Sequence, residues 1–189
     1  MINSKPASVN FPILSVIQNR WSPLAFSDKP VEIEKINSLL EAARWAPSSY
    51  NEQPWQYIIG IKGEENHNKI SKCLSKGNAW AIHAPLLIIS IAKKFFELNN
   101  EPNRHYSHDT GMATMSLVLQ ATEMDLVSHQ MGGFDIDKIK KLFDINDKFE
   151  PISVIAIGYA GNSDDLEDNL KEREKSPRSR KSFDSLIWK

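Results

Sequence analysis

The residues best suited to chemistry include two short groups built around arginine. Arg20 and Ser22 stand two apart where a predicted helix runs into a turn, and Arg178 and Arg180 alternate in the same way in the segment PRSRK. A guanidinium group offers a planar fork of N–H donors that matches a phosphate, and a serine hydroxyl can add one more donor. These two segments therefore predict that the chain binds an anion.

Two further segments combine polar and small residues. Residues 46–55, with the sequence APSSYNEQPW, place hydroxyl and amide groups beside aromatic rings, which suits a planar heterocycle. The segment QMGGFD contains Gly132 and Gly133, which let the backbone approach a ligand closely because glycine has no Cβ. Each segment alone is also typical of a turn or a solvated tail. Together the four segments provide a phosphate-binding part and a heterocycle-binding part, which is what a mononucleotide cofactor needs.

Composition and charge exclude several other classes of protein. The chain has 189 residues, of which 41% are hydrophobic and 25% charged, the balance of one ordinary globular domain. Its net charge is -1, so we expect no nucleic-acid partner, since duplex binding normally needs a basic excess. The longest apolar run, residues 85–92, is too short to cross a bilayer. We therefore expect no membrane partner and a cytoplasmic location.

Motifs for other chemistries are missing or weak. The single cysteine, Cys73, excludes a disulfide framework, and the sequence contains no P-loop, no HExxH and no GxSxG motif. His105, His108 and Asp109 have the spacing of metal ligands on one helix face, but the polar start of a helix has the same composition. We therefore expect no metal site, and we interpret His129 as a packing residue or a loop donor.

Apolar periodicity predicts the elements that position these segments. The predicted helices cover residues 12–19, 31–45, 64–75 and 104–124, with a fifth capped by Asp135 and ending at Phe143. The predicted strands cover residues 55–61, 85–92, 126–130 and 151–159. Candidate inward positions of the long fourth helix include Met112, Met115, Leu119 and Thr122. The pattern predicts an α+β fold with helices around a sheet of about four strands.

The runs RWSPLAF, ARWAPSSYNEQPW, MGGFD and PRSR, in this order, resemble the nitroreductase family of FMN-dependent NAD(P)H oxidoreductases. The resemblance extends from about Ile17 to Arg180, and APSSxNxQPW is its most specific part. It implies a nitroreductase-like sandwich with a central, mostly antiparallel sheet of about four to five strands surrounded by helices. It also implies one domain over residues 1–189, with a flexible N-terminus over residues 1–10 and an extended tail over residues 162–189. That tail would carry phosphate-binding contacts and would pack on the partner subunit of a homodimer.

The resemblance also implies which residues contact FMN at the subunit interface. The phosphate and ribityl chain are held by Arg20, Trp21, Ser22, Arg178 and Arg180. The partner subunit contributes Pro47, Ser48, Ser49 and Asn51. The flavin ring is approached by Asn78, Met131, Gly132 and Gly133. Leu24 stands where family members often carry lysine or arginine, a cation that would stabilise the negative charge of the reduced flavin.

The implied activity is ping-pong transfer of a hydride from NAD(P)H through FMN to a small acceptor such as a nitroaromatic, a quinone or an enone. The chemistry would belong to the flavin, so we expect no catalytic side chain. A flavin-dependent dehydrogenase, a dehalogenase or a flavin-binding storage protein could share the same motifs, because fold does not determine function.

Overall fold

The computed structural model describes residues 5–188. The helices are α1 (Ser15–Asn19), α2 (Ile33–Arg44), α3 (Glu65–Ser71), α4 (Tyr106–Glu123), α5 (Ile136–Leu142) and α6 (Asp168–Lys175). The strands are β1 (Trp55–Ile61), β2 (Leu86–Lys93), β3 (Val127–Met131) and β4 (Phe149–Gly158). Short 3₁₀ helices cover Ser49–Asn51, Lys76–His83, Ser163–Asp165 and Phe183–Leu186. No helix among the described residues is long and apolar enough to span a membrane.

The four strands form one sheet in the order β1-β2-β4-β3, and every neighbouring pair is antiparallel. The central strand β2 is buried along almost its whole length, as its continuous apolar run predicts. The predicted α+β architecture with a mostly antiparallel sheet is therefore confirmed.

Helices cover both faces of the sheet. On one face, Leu39 of α2 and Leu117 of α4 pack with Ile88 of β2 in one apolar cluster. On the other face, Ile139 of α5 packs with Ile89 and with residues of α3 and of the 3₁₀ helix before β2. The sheet is thus the middle layer of the sandwich. The serine-rich segment leads into β1, and the glycine pair follows the end of β3.

The inward face predicted for α4 is wrong. Met112, Leu119 and Thr122 are only half-buried and Met115 is 36% exposed. The buried positions are instead Asp109, Thr110, Ala113, Thr114, Leu117, Val118 and Ala121. Small side chains let α4 approach α2 and the sheet closely, since interiors are packed to high density. The large methionines therefore remain on the outer face.

Described segments near both ends of the chain contact the rest of the fold. Within residues 162–188, predicted as an extended tail, the chain forms α6 and two of the 3₁₀ helices. Near the other end, the backbone N–H of Ala7 donates to the carbonyl of Gln18 at 2.8 Å, and the Gln18 amide donates back to Ala7 at 3.2 Å. The prediction of a flexible N-terminus falls partly on residues 1–4, which lie outside the described residues.

Candidate cofactor-binding site

A cavity of about 250 Å³ lies where the segment after α1 meets β3, α6 and the tail. It is lined by the basic side chains of Lys5, Arg20, Arg173, Arg178 and Arg180. Arg20 and Arg178 are far apart in sequence, so folding alone brings the two predicted arginine segments together. The cavity therefore has the size and the charge to take an anionic group.

The arginines in this cavity repel one another. Arg20 donates through Nη1 to the Ser22 hydroxyl at 3.0 Å. Burial, followed by the charges of Arg178 and Arg180, lowers the pKa of Arg20, and burial with the charge of Arg180 lowers the pKa of Arg178. A phosphate between these groups would offset their repulsion and accept hydrogen bonds from them. The donor set thus fits the phosphate of a mononucleotide such as FMN.

Arg178 also has a structural role. Its Nη1 donates to the carbonyl oxygen of Lys5 at 2.6 Å and to that of Gln18 at 2.9 Å. Arg180 is exposed, and its Nη1 donates only to the carbonyl of the neighbouring Ser179, at 2.7 Å. Arg178 therefore holds the N-terminal segment in place, whereas Arg180 remains available to a ligand.

The segment that carries Arg20 and Ser22 is held from two sides. From β3, the imidazole of His129 donates through Nδ1 to the carbonyl of Pro23 at 2.9 Å. From α6, the carboxylate of Glu174 accepts the backbone N–H of Leu24 at 2.8 Å. The Leu24 side chain is only 4% exposed and packs in the core, so this residue contributes its backbone to the site wall.

Glu174 was missed by the sequence analysis. It lies among charged residues on a polar helix, and nothing local distinguishes it from its exposed neighbours. Folding leaves it only 6% exposed, and this burial raises its pKa. The folded chain therefore holds the proton of Glu174 more tightly than the unfolded chain does, so the contribution of this group to stability is present at low pH and is lost as pH rises through the folded pKa.

We expect the Glu174→Gln substitution to raise the melting temperature, and the increase over the wild type should be larger at pH 8 than at pH 4. Glutamine keeps an oxygen that can accept the Leu24 N–H, but it carries no buried charge at high pH. Melting temperatures measured at the two pH values test this, with Glu172→Gln on the exposed face of α6 as the matched control. If Glu174→Gln and the wild type differ in melting temperature by the same amount at both pH values, burial does not raise the pKa of Glu174.

The glycine pair lies at the end of β3, next to the segment held by His129. The carbonyl of Gly133 accepts the Asn78 side-chain amide at 2.9 Å and the backbone N–H of Ser75 at 3.1 Å. A Cβ on Gly133 would lie 2.7 Å from the Asn78 amide nitrogen, whereas a Cβ on Gly132 would meet nothing within 4 Å. The structure therefore joins Asn78 to the glycine loop and leaves the backbone of Gly132 open to a ligand, while the side chain of Met131 is buried.

The serine-rich segment lies elsewhere. Among the described residues, none of residues 47–51 lines the arginine cavity. This segment follows α2, and the backbone N–H of Ser49 donates to the carboxylate of Asp109 at 2.9 Å. One chain thus does not bring all four polar segments to a single cavity.

The side chains of His105, His108 and Asp109 are engaged in other contacts. Asp109 is buried and contacts the imidazole of His108 at 3.0 Å, while His105 lies before the helix and accepts from Arg104. Within residues 5–188, no group of three or more histidine, cysteine, aspartate or glutamate side chains could hold a metal ion. His129 is a packing residue and a donor, with its ring centroid 4.6 Å from that of Trp80.

Known proteins resemble this chain in sequence and in overall fold. A crystal structure described as an oxidoreductase containing FMN is 33% identical and has a TM-score of 0.91, covering 100% of this chain and 96% of that one. An FMN-dependent nitroreductase from Clostridium difficile is 28% identical with a TM-score of 0.66, covering 82% of this chain and 94% of that one.

A curated relative from Archaeoglobus fulgidus, named as a candidate NADH dehydrogenase/NAD(P)H nitroreductase, is 26% identical over 157 residues, which are 81% of this chain and 88% of the relative. The family model described as the nitroreductase family matches residues 17–79 and 74–159. Since these matches cover well over half of the sequence, the chain belongs to the nitroreductase family.

Proposed function

We propose that this chain is an FMN-dependent oxidoreductase that uses NAD(P)H as electron donor and reduces a small acceptor such as a nitroaromatic, a quinone or an enone. The observation that carries the proposal is the convergence of Arg20, Arg178 and Arg180 with Ser22 on one cavity of about 250 Å³. The choice of cofactor is supported by the similar crystal structure, which is described as containing FMN. The choice of electron donor is supported by the Archaeoglobus fulgidus relative, whose name includes NAD(P)H.

The residues of the chain bind and orient the cofactor. Arg20, Ser22, Arg178 and Arg180 would hold its phosphate, and Trp21 would form a wall of the same cavity. Arg178 also fixes the N-terminal segment beside them. FMN, when bound, supplies the chemistry of hydride acceptance and donation. We propose a ping-pong order, in which the oxidised donor leaves before the acceptor takes the same space.

The backbone near the end of β3 would approach the flavin ring. Gly132 offers an open backbone, Gly133 is fixed by Asn78, and the buried Met131 anchors the loop to the sheet. Because Leu24 is apolar and buried, the cavity lacks a cation from that position. We assign no acid or base role to a side chain.

We further propose a homodimer with the flavin sites at the subunit interface. Large apolar side chains from both ends of the chain are exposed, and Trp188 is 99% exposed. Phe11 and Phe183 pack against each other with ring centroids 5.0 Å apart, which makes one apolar surface from the two ends. A partner subunit would cover this surface. It would also bring residues 47–51 to the cavity that they do not line in their own chain.

The test is an absorption spectrum of the purified protein, recorded before and after NADPH is added under nitrogen. We expect flavin bands that bleach on addition of NADPH, because the bound flavin accepts a hydride. Flavin bands that bleach no faster than free FMN would indicate a flavin-binding protein rather than a reductase. A protein that stays colourless after incubation with FMN would refute the assigned cofactor.

A further inference from the structure

Asp109 is a buried carboxylate in the first turn of α4 whose two oxygens both have partners. It is 2% exposed. Oδ2 accepts the backbone N–H of Ser49 at 2.9 Å, and Oδ1 lies 3.0 Å from Nδ1 of His108. A buried polar group is costly unless it is hydrogen-bonded, so these two contacts offset the burial of Asp109.

The segment that Asp109 contacts has an unfavourable backbone conformation. Tyr50, Asn51 and Gln53 have φ angles of 54°, 57° and 51°, in the left-handed region that side chains other than glycine seldom adopt. Such conformations persist only where surrounding contacts hold them. The segment therefore needs an external support.

Most hydrogen bonds of this segment are local. The backbone N–H of Asn51 donates to the carbonyl of Ser48, and the backbone N–H of Gln53 donates to the Ser48 hydroxyl at 3.0 Å. These bonds close the turn, and further along it the Glu52 carboxylate accepts the backbone N–H of Glu97 at 2.6 Å and the Tyr50 ring packs edge-on against Phe96. The bond from Ser49 to Asp109 joins residues 60 positions apart and ties the start of the turn to a buried helix.

We propose that Asp109 is a positioning residue that anchors the start of the left-handed turn over residues 48–53 and thereby presents Ser48, Ser49 and Asn51 to FMN. The role in FMN binding rests on the function proposed above. The support of the turn does not, since it depends only on contacts within this chain.

An alternative role for Asp109 is a favourable interaction with the N-terminal dipole of α4. That role would stabilise the helix without acting on the turn. Asp137 lies exposed in the first turn of α5 and has the same relation to a helix dipole, so Asp137→Ala is the matched control.

The experiment measures amide hydrogen exchange of residues 49–53 in the full chain, with and without FMN. We expect exchange at least about tenfold faster in Asp109→Ala, because the loss of a hydrogen bond to a charged acceptor frees the turn. Asp109→Asn keeps an accepting oxygen and should stay within about threefold of the wild type. Asp137→Ala should leave these amides unchanged.

The proposal would be overturned if the amides of Asp109→Ala exchanged at the wild-type rate. It would also be overturned if Asp109→Asn exchanged as fast as Asp109→Ala. If Asp109→Ala does not fold, Ser49→Pro removes the N–H from the other side of the same bond. Ser48 has φ −147° and ψ 158°, which suits a residue before proline, and Ser49 begins a 3₁₀ helix, so the substitution fits the backbone. Faster exchange at residues 50–53 in Ser49→Pro is expected, and unchanged exchange would count against the anchor.

FMN affinity, measured by quenching of flavin fluorescence, separates the two parts of the inference. We expect the dissociation constant to rise about tenfold in Asp109→Ala and to change little in Asp109→Asn. A freed turn with unchanged FMN affinity would overturn the role of Asp109 in presenting the segment. If the wild type binds no FMN, the proposed function fails, while the exchange data still decide whether Asp109 holds the turn.

Discussion

Replacing both Arg178 and Arg180 by alanine is expected to weaken FMN binding by about 100-fold. Each hydrogen bond to a charged partner contributes about 1.5–3 kcal/mol, and the double variant removes two guanidinium groups from the walls of one cavity. Exposure of Arg180 keeps the loss near the lower end of the summed range. Titration of the FMN-free protein with FMN, followed by flavin fluorescence, gives the dissociation constants.

Two controls make the result specific for the phosphate. Arg44→Ala with Arg104→Ala removes the same charge from exposed positions that do not line the cavity and should leave the affinity near that of the wild type. Riboflavin lacks the phosphate, so its affinity should respond little to the loss of Arg178 and Arg180. An equal loss for riboflavin and FMN would show that the two arginines act on the fold rather than on the phosphate.

Gly161→Ala is expected to lower the free energy of unfolding by about 3 kcal/mol, because the added Cβ would overpack against the backbone of Phe26. A Cβ at Gly161 would lie 2.6 Å from the carbonyl carbon and oxygen of Phe26, and backbone cannot move aside as a side-chain end can. The same substitution would separate two short paired segments, joined by the bond from the N–H of Gly161 to the carbonyl of Ala25 at 3.0 Å. The melting temperature should fall by about 8 °C.

The matched control for this prediction is Gly111→Ala. Gly111 is an exposed residue of α4, and an added Cβ would meet nothing within 4 Å. Alanine at an exposed helical position is more favourable than glycine by about 0.5–1 kcal/mol, so this variant should be slightly more stable than the wild type. A melting temperature for Gly161→Ala within a degree of the wild type would contradict the predicted contact with Phe26.

The strands and helices could largely be predicted because their signals are local. The strand over residues 55–61 has the predicted bounds, and Asp135 caps α5 by accepting the backbone N–H of Lys138 at 2.9 Å. The outer and inner faces of α4 could not be assigned in the same way. Hydrophobicity selects large side chains such as Met115, whereas close packing of a helix between α2 and the sheet selects small ones such as Ala113.

The candidate site was predicted where a residue type itself carries the chemistry. The two arginine-containing segments could be interpreted from their spacing, and folding brings Arg20 and Arg178 to one cavity. Glu174 and Asp109 were not identified as supports, since each acts on a backbone N–H 150 or 60 residues away. Such a contact depends on which segments meet in space, and no local pattern in the sequence records it.

Arg178 lines the cavity and also donates hydrogen bonds to the carbonyls of Lys5 and Gln18. Binding of an anion in the cavity is therefore linked to the position of the N-terminal segment. Thermodynamic coupling is reciprocal, so an anion that fixes this guanidinium favours the docked N-terminal segment by the same factor by which the docked segment favours the anion. Part of the binding free energy of such an anion would therefore stabilise the position of Gln18, which does not line the cavity. The affinity of the cavity for an anion would thus depend on the segment that begins near Lys5 as well as on the arginines near residue 180.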